Sequence, residues 1–218
     1  MKLTEDKKEE QLNSLQDIKN LMERSSRFSS LSGVSAISAG IIAILGCLYA
    51  AFHLEISIFA QAQGIMIRNN TAAEKATITF LIITGLVVFF FALTSFLFFA
   101  NQKAKKHNIK LFNSTGRKFI SHGLIFLFTG GLFAAVLFYY GFYLLIVPSL
   151  LIFYGMALIN ISKFSFNTIR NFGILEIILG FILCLMPVYA LLFFFIGFGL
   201  LHIIYGLILH FKYDIPAE

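Results

Sequence analysis

Long apolar runs separated by short polar stretches organise the chain from residue 33 onward. The hydrocarbon core of a bilayer is about 30 Å thick and takes roughly 20 helical residues to cross. Six runs meet that length: 33–54, 76–100, 119–140, 142–161, 172–189 and 190–211. They predict an all-α, polytopic membrane protein, with a six-span membrane domain over 33–211 and a tail over 212–218. The third and fourth runs are separated by Gly141, and the fifth meets the sixth just after Pro187. Short joints force antiparallel neighbours, so the spans are expected to group into three helical hairpins.

Ahead of the first run, Leu12, Leu15, Ile18, Leu21 and Met22 recur at intervals near three and four, with polar residues between them. That spacing puts them on one face of an amphipathic helix. Residues 1–32 therefore read as a cytoplasmic helix followed by a serine-rich junction (Ser25, Ser26, Ser29, Ser30, Ser32). The apolar face has three uses open to it: packing under the bundle or at the membrane interface, self-association, or docking a soluble protein partner. Interfacial anchors usually carry a Lys/Arg-rich polar face, and the six basic and six acidic groups within residues 1–31 weaken that version.

Composition agrees with the bilayer as solvent. Side chains are 58% hydrophobic and 13% charged, with 27 Phe and no Trp, where soluble domains carry about 25% charged residues. Two cysteines exclude a disulfide-stapled secreted domain. The net charge of +6 is concentrated: Lys103, Lys105, Lys106, Lys110, Arg117 and Lys118 fall in one loop with no acid among them. A nucleic-acid interface needs a folded basic face with base-reading or stacking groups, which a short loop between apolar runs does not supply. The positive-inside rule instead assigns this loop, the loop with Lys163 and Arg170, and the tail with Lys212 to the cytoplasm. Six spans then place both termini there, in a bacterial inner membrane. No signal peptide is expected, because some thirty residues rich in acids precede the first apolar run.

Glycines give a further pattern. Gly33 and Gly40, Gly123 and Gly130, and Gly173 and Gly180 are each seven residues apart near the starts of spans one, three and five. Seven residues is about two helical turns, so each pair shares a face on which a neighbouring backbone can come close. Tyr154-Gly155 in span four matches Tyr205-Gly206 in span six, while Gly85 is a weak counterpart in span two. These intervals suggest a hairpin repeat. The stretch Gly173-Ile-Leu-Glu-Ile-Ile-Leu-Gly180, followed by Met186-Pro187, an apolar run and Tyr205-Gly206-Leu-Ile-Leu, resembles the repeated hairpin of the HdeD-like acid-resistance membrane proteins, over about residues 119–210. The resemblance implies six spans in hairpin repeats, an inner-membrane location and a link to stress or acid tolerance, with no catalytic residue to carry over. This chain departs from the family in its charged amino-terminal helix, in the long outer loop of its first unit and in Pro148, read as lying inside span four. Residues 21–33 also resemble the start of uncharacterised bacterial membrane proteins.

An ionisable group inside a span costs at least about 2.5 kcal/mol on insertion scales, so Glu176 needs a reason to be there. Folding the last two spans about Val188 and Tyr189 brings it level with His202. Two readings follow: a pair that shares a proton, or an interhelical hydrogen bond that sets register. The same folding about Tyr140 and Gly141 brings His122 opposite Asn160, as interfacial polar contacts or the lining of an inward vestibule. His53, Glu55, His107 and His210 fall at interfaces or in solvent. No metal-ligand spacing is present, and Cys47 and Cys184 read as buried structural thiols. Neither a phosphate-binding loop nor Gly-x-Ser-x-Gly occurs, so no cofactor and no catalytic residue are expected. The leading function class is a non-enzymatic membrane protein, stress- or acid-related or a sensor with a cytoplasmic partner. A small proton-coupled transporter or channel is the alternative, and a membrane enzyme acting on an apolar substrate the third.

Overall fold

Ser32 starts the first span: its hydroxyl accepts from the backbone N–H of Val34 at 3.3 Å, satisfying a donor that every helix start leaves open. The computed structural model describes residues 32–58, 72–106 and 114–214. The expected amphipathic helix, with its self-association or partner docking, and His107 lie outside the described residues. Helix α1 covers Gly33–His53, α2 Ala72–Lys106 and α3 Ser114–Tyr139. A 3₁₀ turn, Tyr143–Leu145, leads into α4, Ile146–Ser162, and α5 follows at Asn167–Leu185. A second 3₁₀ turn, Pro187–Tyr189, leads into α6 (190–214), which is α-helical in Ala190–Phe194, π-helical in Phe195–Leu201, α-helical in His202–Leu209 and π-helical in His210–Asp214. Among the described residues there is no strand, and six helices are long and apolar enough to cross a membrane. The chain is an all-α, multi-pass membrane protein.

The helices differ from the apolar runs mainly at their ends. Helices α2, α3 and α5 continue through polar residues (Asn101–Lys106, Ser114–Lys118, Asn167–Asn171), because a backbone leaving the bilayer still gains its own hydrogen bonds. Helix α4 starts at Ile146 rather than Phe142, which places Pro148 in its first turn, where a missing N–H costs nothing; Pro148 thus lies inside span four, Tyr143–Ser162, without breaking a helix. Helix α5 stops two residues short of Pro187, as the crowding of the residue before a proline favours. Two helices end in the same hydrogen-bonded turn. Glu55 (φ 54°) after α1 and Gly141 (φ 78°) after α3 adopt the left-handed conformation, with Ile56 N–H donating to Ala51 O at 3.0 Å and Phe142 N–H donating to Leu137 O at 2.8 Å. Glycine suits that turn; Glu55 adopts it without the help of composition.

Packing does not simply follow the chain. The most extensive pairing is α4 with α5, followed by α1 with α6 and then by α3 with α4 and α1 with α2; α5 and α6, expected to form the third hairpin, touch far less. Close approach at glycines explains the preference. A Cβ on Gly155 would lie 2.5 Å from the Gly173 carbonyl oxygen, and one on Gly206 would lie 2.7 Å from that of Gly33. The two crossings share a plan: Gly155 and Gly173 sit beside Ile177 and Ile159, while Gly206 sits beside Ile37. Gly180 faces Ile152 and Pro148, and Gly40 faces Ile203 and Gly199. Gly123 and Gly130 instead meet Ile161 and Phe153 of α4, and Gly85 has open space around it. A hydrogen bond from Ser95 to Ser38, 2.8 Å between hydroxyl oxygens, ties α2 to α1.

One end of the bundle gathers the starts of α1, α3 and α5 and the ends of α4 and α6. Phe166 stacks on Tyr213 at 3.9 Å between ring centroids, and His122 lies 4.9 Å from Phe164. Phe119, Leu158, Phe166, Ile169, Phe172 and Leu209 form a buried cluster there, with Phe96 of α2 packed against it.

Candidate functional site: a buried polar cluster between α4, α5 and α6

Glu176 is the structural centre of interest. Because α5 begins at Asn167, Glu176 lies nine residues into the helix, about 13 Å along the axis, and about one turn past Phe172, where the apolar run begins. Its exposure is 0%. Neither carboxyl oxygen has a hydrogen-bond partner. The carboxyl lies against Gly197 of α6, where a Cβ would stand 2.9 Å from Oε2 and 2.6 Å from Leu151 of α4. Only a glycine at 197 leaves room for it.

His202 comes from the same helix, one residue beyond the π-helical segment, and is 8% exposed. Its Nδ1 lies 3.0 Å from the Gly197 carbonyl oxygen, and its Nε2 lies 2.6 Å from the Tyr154 hydroxyl. A carbonyl can only accept, so Nδ1 carries the hydrogen in the neutral ring, and Nε2 then accepts from Tyr154. In the charged ring both nitrogens donate and the Tyr154 oxygen accepts. Rotation of one hydroxyl therefore accommodates either form. Tyr154 also stacks on the imidazole at 5.3 Å, and Phe172 meets it edge-on at 4.8 Å.

The expected Glu176–His202 pair thus takes a different form. Both side chains adjoin Gly197, but the imidazole is bonded to Tyr154 and to the backbone, and Glu176 makes no hydrogen bond. The physical reason is packing: α5 lies against α4 more than against α6, so a tyrosine of α4 reaches the ring first. Tyr154 was missed as a site residue. Folding the chain about the short 163–166 joint, which sets Gly155 against Gly173, would have brought α4 up to Glu176.

His122 and Asn160 meet at the basic end, with Asn160 Nδ2 donating to the His122 carbonyl oxygen at 3.3 Å and lying 3.4 Å from its Nδ1. The contact joins α3 to α4 and lies well away from Glu176 along the bundle. His53 stacks on Phe80 at 4.2 Å near the opposite end. Cys47 is buried, its thiol donating to the Leu191 carbonyl at 3.5 Å. Cys184, expected to be buried, is exposed, because it lies on the outer face of α5. Among the described residues no three His, Cys, Asp or Glu side chains converge as a metal site would require. No protein-family model, curated protein or solved structure matches the chain.

Proposed function

We propose that this is a non-enzymatic, proton-responsive membrane protein in which Glu176 binds and releases a proton. One observation carries the reading: a fully buried carboxyl with both oxygens unpartnered, held in the bundle where burial of an isolated charge is very costly. The neutral acid is the form this packing accommodates. Loss of the proton creates a charge that needs a donor, and of the titratable groups on the packed elements Tyr154 of α4 and His202 of α6 adjoin the same site at Gly197. Either the helices rearrange to supply that donor, or the proton stays.

The π-helical segment Phe195–Leu201 gives such a rearrangement a place to occur, since it holds Gly197 and Gly199 and directly precedes His202. π-Helical segments frequently mark functional positions. The HdeD-like resemblance of spans three to six supports a role in acid or stress tolerance. The common plan of the α4–α5 and α1–α6 crossings, each joining one hairpin to another, supports a repeated unit. The distribution of Lys and Arg supports a bacterial inner membrane with both termini cytoplasmic. A cytoplasmic partner for residues 1–31 would complete a sensor, and a pulldown with that segment as bait tests it.

The test of the proton site is hydrogen exchange of the full-length protein in nanodiscs at several pH values. Protection of 195–201, corrected for intrinsic exchange rates, should change with pH in the wild type and stay constant in Glu176→Gln. A wild type whose protection is as constant as the variant's would contradict the reading.

A further inference from the structure

The end of the bundle at which α1, α3 and α5 begin is ringed by exposed cations: Lys105, Lys106, Arg117, Lys118, Lys163, Arg170 and Lys212. Beyond residue 100 the sequence holds nine Lys and Arg against Glu176, Asp214 and Glu218, and Glu176 is inside the bundle. These cations flank helix ends and sit beside an aromatic layer. Lys163, Arg170 and Lys212 lie next to the Phe166–Tyr213 stack in sequence; the Lys212 ammonium is 5.5 Å from the Tyr213 ring centroid. The Thr168 hydroxyl lies 3.4 Å from that of Tyr213. Tyrosines at this level mark the boundary between hydrocarbon and headgroups, so the cations stand at the depth of lipid phosphates.

We infer that this end is a binding surface for anionic phospholipid headgroups. Positive-inside topology requires only that Lys and Arg face one side; here seven of them are exposed at helix ends, residues 101–213 hold one acid, the buried Glu176, and the six acids of residues 1–31 are matched by six bases within that segment. Clusters of four to eight such residues beside a span attract anionic lipid. The bilayer is the nearest source of negative charge, and the apolar spans hold the cations against it. The inference is independent of the proton site at Glu176.

Reconstitution of the full-length protein in nanodiscs holding equal amounts of phosphatidylglycerol and phosphatidylcholine tests this, with retained lipid counted by mass spectrometry after release. The wild type should retain phosphatidylglycerol in excess. A near-surface cation is worth roughly fivefold in affinity for an anionic surface, so a Lys105→Gln, Lys106→Gln, Arg117→Gln, Lys118→Gln variant should lose most of that excess. Lys75→Gln, at the opposite end, should lose none. Should the quadruple variant fail to insert, the wild type alone decides: raising salt to about 1 M cuts the screening length to about 3 Å and should remove the excess. Equal retention of the two lipids, or an excess indifferent to salt and to the four substitutions, would overturn the inference. Binding of soluble polyphosphate to the wild type in pure phosphatidylcholine, without phosphatidylglycerol enrichment in the mixture, would overturn it in favour of a soluble polyanion.

Discussion

Glu176 is a residue whose cost and use point in opposite directions. A buried polar group without a partner costs about 1–3 kcal/mol, and nothing in the packing around Gly197 offsets it. Glu176→Leu should therefore stabilise the protein by about 1–3 kcal/mol, seen as a higher midpoint of thermal unfolding in detergent, while removing the proton response. A lower midpoint would mean that the carboxyl has a partner after all. Tyr154 behaves in the opposite sense. Tyr154→Phe keeps the ring stack on His202 but leaves Nε2 without a donor, at a cost of about 1–3 kcal/mol. His202→Phe combined with Tyr154→Phe should cost less than the sum of the single changes, because each partner's loss already strands the other. Additive effects in that double-mutant cycle would show that the 2.6 Å contact contributes nothing.

At the scale of elements, glycine placement decides which helices meet. A Cβ on Gly173 would press to 2.6 Å from the Gly155 carbonyl oxygen, so Gly173→Ala forces α4 and α5 apart. Overpacking of this kind costs about 1–3 kcal/mol. Gly85→Ala, with open space around it, should be nearly silent; equal effects of the two on thermal unfolding would contradict the crossing described here. The glycine intervals were legible in the sequence because close packing leaves a repeat of seven behind. Which helices they join was not, since Gly173 seeks α4 and Gly33 seeks α6 across connections of very different length. The boundary of α5 was hidden for a simpler reason: Asn167, Thr168, Arg170 and Asn171 are polar yet helical, and hydropathy sees the side chains while the backbone sees only hydrogen bonds. The extension adds a polar turn outside the apolar run and leaves Glu176 about one turn inside that run. Tyr154 was read as a marker of repetition; its chemistry depended on a pairing of helices that periodicity does not encode.

Over the whole molecule, the six spans and the one-sided distribution of Lys and Arg follow from the bilayer as solvent, and both were legible from the order of apolar and polar runs. The buried cluster needs the tertiary arrangement, since Tyr154, Glu176 and His202 come from three helices. Topology is open to a direct check: single cysteines at 141 and 163, in a Cys47→Ala, Cys184→Ala background, should react with an impermeant thiol reagent from opposite sides of the membrane, with 163 reached only from the cytoplasm. The proposed response rests on the proton of Glu176, which infrared titration of the protein in nanodiscs reads at the carboxyl group itself. The wild type should show a carboxylic-acid C=O band that is absent in Glu176→Gln and converts reversibly to a carboxylate band as pH rises. A wild-type spectrum with no band beyond those of Glu176→Gln, or a Glu176 band that never titrates, would contradict it.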